Sequence, residues 1–201
     1  MMAHRRSLFA LLIACAGVLV ACGGDEGPDA STQTTTTVGS IETTTTTPCE
    51  VADATTDAKS SPGPSSGTTL LTDVRTGRQT CADRVVFEFR EGPMPESYTV
   101  EYQPGPFSLG ESDQPVAVAG SSFLVVRFLQ ASGVDDESSA QFVQTYTGPE
   151  SLKPTDLAHV VEVRRIEDFE NVLIWVIGLD STRPFSVGVL DGPPRFYLDI
   201  A

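Results

Sequence analysis

From Leu70 to the C-terminus the chain runs in short apolar stretches, each closed by a turn signal, and no window carries the 3.6-residue apolar stripe of an amphipathic helix. That pattern restricts the fold more than anything else in the sequence. Asp83-Arg84-Val85-Val86-Phe87-Glu88-Phe89 places Val85, Phe87 and Phe89 on one face and Arg84, Glu88 and Arg90 largely on the other. A strand with one wet face reads this way. Gly92-Pro93 and Pro95 end it. Ser97 to Gln103 predicts a second strand with Tyr98, Val100 and Tyr102 together, and Pro104-Gly105-Pro106 turns the chain. Pro115 to Ala119 and Ser122 to Gln130 predict a strand pair joined at Gly120-Ser121. In the longer member, Leu124, Val126 and Phe128 share one face, and Phe123, Val125, Arg127 and Leu129 the other.

Residues 131–156 are less regular. Asp135-Asp136-Glu137 reads as a solvated loop, Gln141 to Thr147 as a strand, and Glu150 to Asp156 as a loop or a single helical turn. Alternation resumes from His159 to Ile166. Glu170 to Leu179 is apolar on both faces, the pattern of a central strand. Phe185 to Leu190 and Arg195 to Ile200 follow, separated by Asp191-Gly192-Pro193-Pro194. About eight short strands spaced in this manner predict an all-β fold, a β-sandwich or squashed barrel.

Ahead of these strands lie two segments of different composition. Arg5 and Arg6 precede an apolar run from Leu8 to Val20, too short for a comfortable membrane span and shaped like a signal peptide. It ends Leu19-Val20-Ala21-Cys22, which looks like the bacterial lipobox. The expectation is cleavage before Cys22 and a diacylglyceryl group on its sulfur, with palmitate-like chains giving stable anchorage where one chain would be marginal. Cys22 to residue 68 is dominated by Thr, Ser, Pro, Gly and Asp, with threonine runs at 34–37 and 43–47. Little there offsets the entropy of ordering, so a disordered tether is expected over 22–68, between a 1–21 signal peptide and a 69–201 domain. Export by the general or the twin-arginine route stays open.

The formal net charge is -14. The leader carries two arginines and no acid, so the mature chain is more negative still. Such a chain repels nucleic acid and anionic lipid headgroups, and membrane association is left to the acyl chains. Cys49 and Cys81 remain for an oxidising compartment, where a disulfide persists. If paired, they close a loop of roughly 30 residues for about 3–4 kcal/mol; the alternative is two free thiols with Cys81 buried. Two thiols and a distant histidine lack the spacing of a zinc site.

Asp83 to Phe89 resembles the opening strand of bacterial AMIN-like domains. Ile166-Glu167-Asp168-Phe169-Glu170 leading into Trp175-Val176-Ile177-Gly178-Leu179 is similar to their later strands. Phe185-Ser186-Val187 and Pro194-Arg195-Phe196-Tyr197-Leu198-Asp199-Ile200 resemble their closing pair. The resemblance spans about Leu71 to Ala201. It implies a small β-sandwich of the cell envelope with no catalytic residues to carry over. Classical AMIN domains target amidases and secretion components to peptidoglycan, whereas here the expectation is a domain with no amidase or pore domain after it.

The sequence holds no H-E-x-x-H or P-loop, and no cofactor motif. His159 has no framed nucleophile and reads as structural. Glu88, Glu101, Glu162, Glu167 and Glu170 read as solvent-facing strand positions. A hydrolase would need two acids about 5–10 Å apart in a cleft. Asp135-Asp136-Glu137 lacks the glycine turn of a calcium loop, because Gly133 precedes the run. The candidate binding residues are Arg84 and Arg195, which could fork onto a ligand carboxylate, and Tyr98 and Tyr102, which could stack on sugars. Set against this, Arg84 or Arg195 would pair with Asp83, Asp199 or Glu88, and the tyrosines would fill the core. The expected function is a non-enzymatic lipoprotein on the outer face of the cytoplasmic membrane, binding peptidoglycan or another wall glycan. The alternatives are a protein-interaction module in envelope assembly or secretion and, remotely, a carboxylate hydrolase.

Overall fold

The computed structural model describes residues 49–63, 67–92, 94–95, 97–136 and 141–201. The leader, Cys22, the threonine runs and Glu137 lie outside the described residues.

The strands are β1 (Lys59–Pro62), β2 (Thr69–Arg78), β3 (Asp83–Phe89), β4 (Ser97–Tyr102) and β5 (Phe107–Leu109). Then come β6 (Gln114–Val116), β7 (Ser122–Leu129), β8 (Ala131–Ser132), β9 (Val134–Asp135) and β10 (Val143–Gln144). The chain closes with β11 (Ser151–Leu152), β12 (Val160–Phe169), β13 (Val172–Leu179), β14 (Phe185–Leu190) and β15 (Arg195–Ile200). Among the described residues, eight of these have six residues or more, which matches the count expected from the turn spacing. A 3-10 turn at Gly110–Ser112 is the helical element described.

Two sheets make the sandwich. One has six strands in the order β1-β4-β7-β13-β12-β11, the other five in the order β14-β15-β3-β2-β8. The ribbons β5-β6 and β9-β10 are separate. The core forms where the inner faces meet. Val85, Phe87 and Phe89 of β3, with Phe196, Leu198 and Ile200 of β15, pack on Leu124, Val126 and Phe128 of β7 and Leu173, Trp175 and Ile177 of β13. Phe87 meets Phe128 and Trp175 edge to face across the layers, at 5.3 and 5.8 Å between ring centroids. Burying one such side chain contributes about 1.5–3 kcal/mol. β13 is buried on both faces, as its sequence predicts. Ile174 and Val176 turn outward into a second cluster with Val125, covered by Phe107 of the β5-β6 ribbon and by Val118.

Four expectations need correction. The tether was expected to run through residue 68, yet Lys59–Pro62 pairs antiparallel with β4 and Thr55 bridges Phe185. β1 is a polar edge strand held by its backbone ladder, so composition gives no sign of it. Pro115 to Ala119 does not pair with Ser122 to Gln130; Gln114–Val116 pairs with β5 instead. The reason lies at Gly120, whose φ of 136° carries the chain across β13, where Ala119 rests on the backbone of Gly178. Ser151–Leu152 is an edge strand beside β12, not a helical turn. Finally, Asp83 does not begin the first strand of its sheet, because β2 precedes it. A bulge between Leu71 and Asp73 shifts the register, so Leu71 and Val74 both reach the core although three residues apart.

Cys49 and Cys81 form a disulfide with Cα atoms 5.2 Å apart, joining the chain before β1 to the turn between β2 and β3.

Candidate functional site

Arg84 and Arg195 share the outer face of the five-stranded sheet. Register sets Asp199 of β15 opposite Arg84 of β3. The Arg84 Nε and Nη2 donate to the two Asp199 oxygens, each at 2.6 Å. The guanidinium also lies over the Tyr197 ring, 4.1 Å from its centroid. The Asp199 hydrogen bonds raise the Arg84 pKa, against an opposing effect of burial. Its fork is thus already filled, on the salt-link pattern set against a ligand role above. Among the described residues Arg195 has no carboxylate partner; its Nε and Nη2 donate to the carbonyls of Pro193 and Asp191, 3.1 and 3.3 Å away, bracing the β14-β15 turn. Glu88 pairs with Arg75 at 2.8 Å. Asp83 is spent on backbone, accepting from the N–H groups of Ala158, His159 and Val160.

The tyrosines stand on the inner face of the other sheet. Tyr98 packs on Phe196 at 4.7 Å and Tyr102 on Phe185 at 6.0 Å. The four expected binding residues therefore do not converge: two lie on the outer face of one layer and two line the inner face of the other. Tyr102 nevertheless reaches a site. It ends β4 where Gln103 donates its N–H to the Phe123 carbonyl at 3.1 Å. Here the ends of β4 and β7 and the loop after β13 enclose an open cleft of about 560 Å³.

The cleft wall is fixed from behind. The Tyr102 hydroxyl donates to the Arg183 carbonyl at 2.7 Å and accepts from the Arg183 N–H at 2.9 Å. Burial pushes its pKa up, so the hydroxyl keeps its proton. Ser122 and Thr182 hydroxyls meet at 2.9 Å, and Ser121 donates to the Asp180 carbonyl. Asp180 itself receives the Arg183 guanidinium at 2.9 Å and faces His159 Nδ1 at 3.3 Å. The Arg183 hydrogen bond, opposed by some desolvation and aided by His159, holds that carboxyl well below the usual range. Among the described residues, none that lines the cleft is charged. Gln103, Ser121, Ser122, Thr182 and Thr56 present amide and hydroxyl groups, with Phe123 as the apolar wall. Such a lining suits a neutral, hydroxyl-rich ligand: directional hydrogen bonds beside an apolar surface that accepts a sugar face.

The remaining chemical candidates are placed elsewhere. His159 has Asp180 as its neighbour and, among the described residues, no nucleophile beside it. Glu101 accepts from the Gln103 amide at 2.8 Å. Glu162 is buried rather than solvent-facing. Its Oε2 accepts from the Ala119 N–H at 2.7 Å and its Oε1 from the Ser151 hydroxyl at 2.6 Å. Burial pushes its pKa up, but those two bonds and the charges of Lys153 and Arg164 outweigh it and leave the carboxyl below its ordinary value. Asp135 is also buried and carries Arg90 at 2.7 Å. No group of three or more His, Cys, Asp and Glu side chains is arranged to hold a metal among the described residues.

Sequence reasoning named Tyr102 but missed the rest of the cleft. In the sequence Gln103 marks only a strand end and Ser121 only a turn, and Thr182 lies in a loop with no pattern. Their meeting depends on strand order, which alternation does not encode. The turn signals at Pro104-Gly105 and Gly120-Ser121 were the available hint, since both mark ends of neighbouring strands.

No curated protein and no solved structure matches the chain. The family comparison does: residues 69–201, from the start of β2 to the C-terminus, match the AMIN-like domain, in general a non-catalytic, binding-type domain consistent with association with the cell envelope. The chain therefore belongs to the AMIN-like domain family.

Proposed function

We propose that this protein is a non-catalytic lipoprotein of the bacterial envelope, held outside the cytoplasmic membrane by acyl chains on Cys22, and that its β-sandwich binds a cell-wall glycan in the cleft beside Tyr102. The observation that carries the reading is the uncharged lining of that cleft, with hydroxyl and amide groups beside Phe123 and its back wall pinned through Arg183. Family membership supports an envelope-binding module. The Leu19-Val20-Ala21-Cys22 sequence supports the anchor.

The test is retention of the detergent-solubilised full chain on purified sacculi. Wild type should pellet with the wall. The Gln103→Ala/Thr182→Ala variant removes two polar groups that line the cleft, from exposed or half-exposed positions, and its retention should fall at least about fivefold, in line with the loss of one to two hydrogen bonds. Equal retention of the two forms, or none for wild type, overturns the reading. Mass spectrometry of the mature chain should find Cys22 N-terminal and acylated.

A further inference from the structure

At the opposite end of the six-stranded sheet from that cleft lies a second concavity of about 320 Å³ whose chemistry differs. Phe142, Phe169, Asp136 and Glu170 line it, with Asp168 and Ser132 behind. Phe169 ends β12. Register places it beside Val172 of β13, which in turn faces Leu129 of β7, so the three share one outer row. Phe142 is 81 % exposed, Phe169 53 % and Leu129 41 %. Large apolar side chains gathered at one spot and left in water mark an interaction surface.

The acids around these rings fall into two kinds. Asp168 is turned inward. It accepts from the Ser132 hydroxyl at 2.9 Å, from the Gly133 N–H, and from Arg165 at 3.1 Å. Asp135 is matched by Arg90. Those pairs hold the floor rigid and cancel its charge. Asp136 and Glu170 have no ion pair among the described residues. Val143 pairs with Asp135 across β9-β10, so Phe142 and Asp136 come next on their two strands and stand side by side. Glu170 and Asn171, with φ of 49° and 60°, form the tight turn after β12 that brings Glu170 into the lining of the groove. The Asn171 carbonyl accepts from the Ala131 N–H at 3.0 Å, tying this turn to the β7-β8 connection. Two uncompensated negative charges thus flank two open phenyl faces.

We infer that this groove binds a segment of a partner protein that carries lysine or arginine next to apolar side chains, at a site separate from the cleft beside Tyr102. The apolar side chains cover Phe142 and Phe169. The cations meet Asp136 and Glu170 and lie against the aromatic faces, which attract positive charge. Desolvation by the partner strengthens both effects, because the carboxylates are screened less once water is displaced. A neutral glycan would leave these two charges unanswered. The inference goes beyond the wall-binding reading and stands without it.

The test measures fluorescence anisotropy of a labelled peptide alternating lysine with leucine and phenylalanine, titrated with the detergent-solubilised full chain. Phe142→Ala/Phe169→Ala and Asp136→Asn/Glu170→Gln change exposed side chains and leave the packed core intact. Each should weaken binding at least about tenfold, the scale expected of interface anchors. Glu111→Gln/Asp113→Asn makes the same charge change on the β5-β6 ribbon and should stay within about twofold. Equal losses from both charge pairs would mean diffuse attraction to an acidic protein and overturn the proposal. So would unchanged affinity after removal of the two rings. The same variants are run against purified sacculi: retention at the wild-type level supports a protein partner, and a fall assigns the groove to the wall and overturns it. Peptide affinity retained in Gln103→Ala/Thr182→Ala supports two separate sites, so the wall-binding reading can fail while this one holds.

Discussion

Removing the Asp83 carboxylate should cost more than any surface ion pair on this domain, and the structure says by how much. Asp83 opens β3 in the five-stranded sheet and is 1 % exposed. Its Oδ1 accepts from the Ala158 N–H at 3.1 Å, and its Oδ2 from His159 and Val160 at 2.6 and 3.0 Å. One side chain therefore caps the entry to β12 in the other sheet. In Asp83→Ala the exposed Ala158 N–H rehydrates at little cost. The His159 and Val160 donors lose a charge-assisted partner where water enters poorly. At about 1–3 kcal/mol for each of the two buried donors left unmet, the loss is about 2–6 kcal/mol. Asp83→Asn keeps one carbonyl oxygen for the two Oδ2 bonds and loses the charge, so about half that loss is expected. Asp199→Ala removes a partly exposed pair and serves as the control, at roughly 1 kcal/mol. Urea titration followed by fluorescence of Trp175, the single tryptophan, measures all three. With a domain total of about 5–15 kcal/mol, Asp83→Ala should lose a large part of its stability. A cost below about 1 kcal/mol, or no difference between Ala and Asn, would refute the claim that these backbone donors depend on the carboxylate.

Three further outcomes follow from the same geometry. Reducing the Cys49–Cys81 bond frees a loop with a sequence separation of 32; chain entropy sets the loss at up to about 3.5–4 kcal/mol, read as a lower urea midpoint, and trypsin should then cut faster at Lys59. Gly178→Ala places a Cβ 1.8 Å from the Ala119 carbonyl oxygen, a backbone atom, whereas Gly188→Ala meets the far end of the Tyr197 ring at 2.4 Å. The first should cost about 3 kcal/mol or more and the second about 1, since the ring can swing aside; thermal melts of the two variants separate them. Glu162 has its folded pKa depressed below 4.5, so its stabilisation is complete above that value and is lost as pH falls through the lower folded pKa. The stability gap between wild type and Glu162→Gln, measured by urea titration across pH, should be widest above pH 4.5 and close below it.

Alternation told which way side chains point. In β3, β4 and β7 the residues grouped on one face by sequence are those buried together, and the two-sided apolar run of β13 is a central strand with a cluster on each side. Where a strand departs from period two the signal fails. The bulge in β2 hides Leu71 and Val74 from any alternating template, and β1 hides because an edge strand can be polar on both faces.

Alternation says nothing about which strand lies next to which, and that is where the site residues are decided. Asp83, Glu88 and Asp199 were equal candidates to meet Arg84. The β15-β3 register, linking positions 115 residues apart, gives Asp199 to Arg84; it also sets Glu88 opposite Arg195, yet Glu88 pairs with Arg75 of neighbouring β2, and Asp83 meets the backbone at the start of β12 in the other sheet. Phe142 shows the same limit. In sequence it is one apolar residue among polar ones. Only the approach of the β9-β10 ribbon to the β12-β13 turn brings it to Phe169 and frames the pair with Asp136 and Glu170. A period-two fold thus fixes its core through local pattern and its surface chemistry through strand order, so substitutions that preserve alternation can leave the core intact while changing what either end of the sandwich binds.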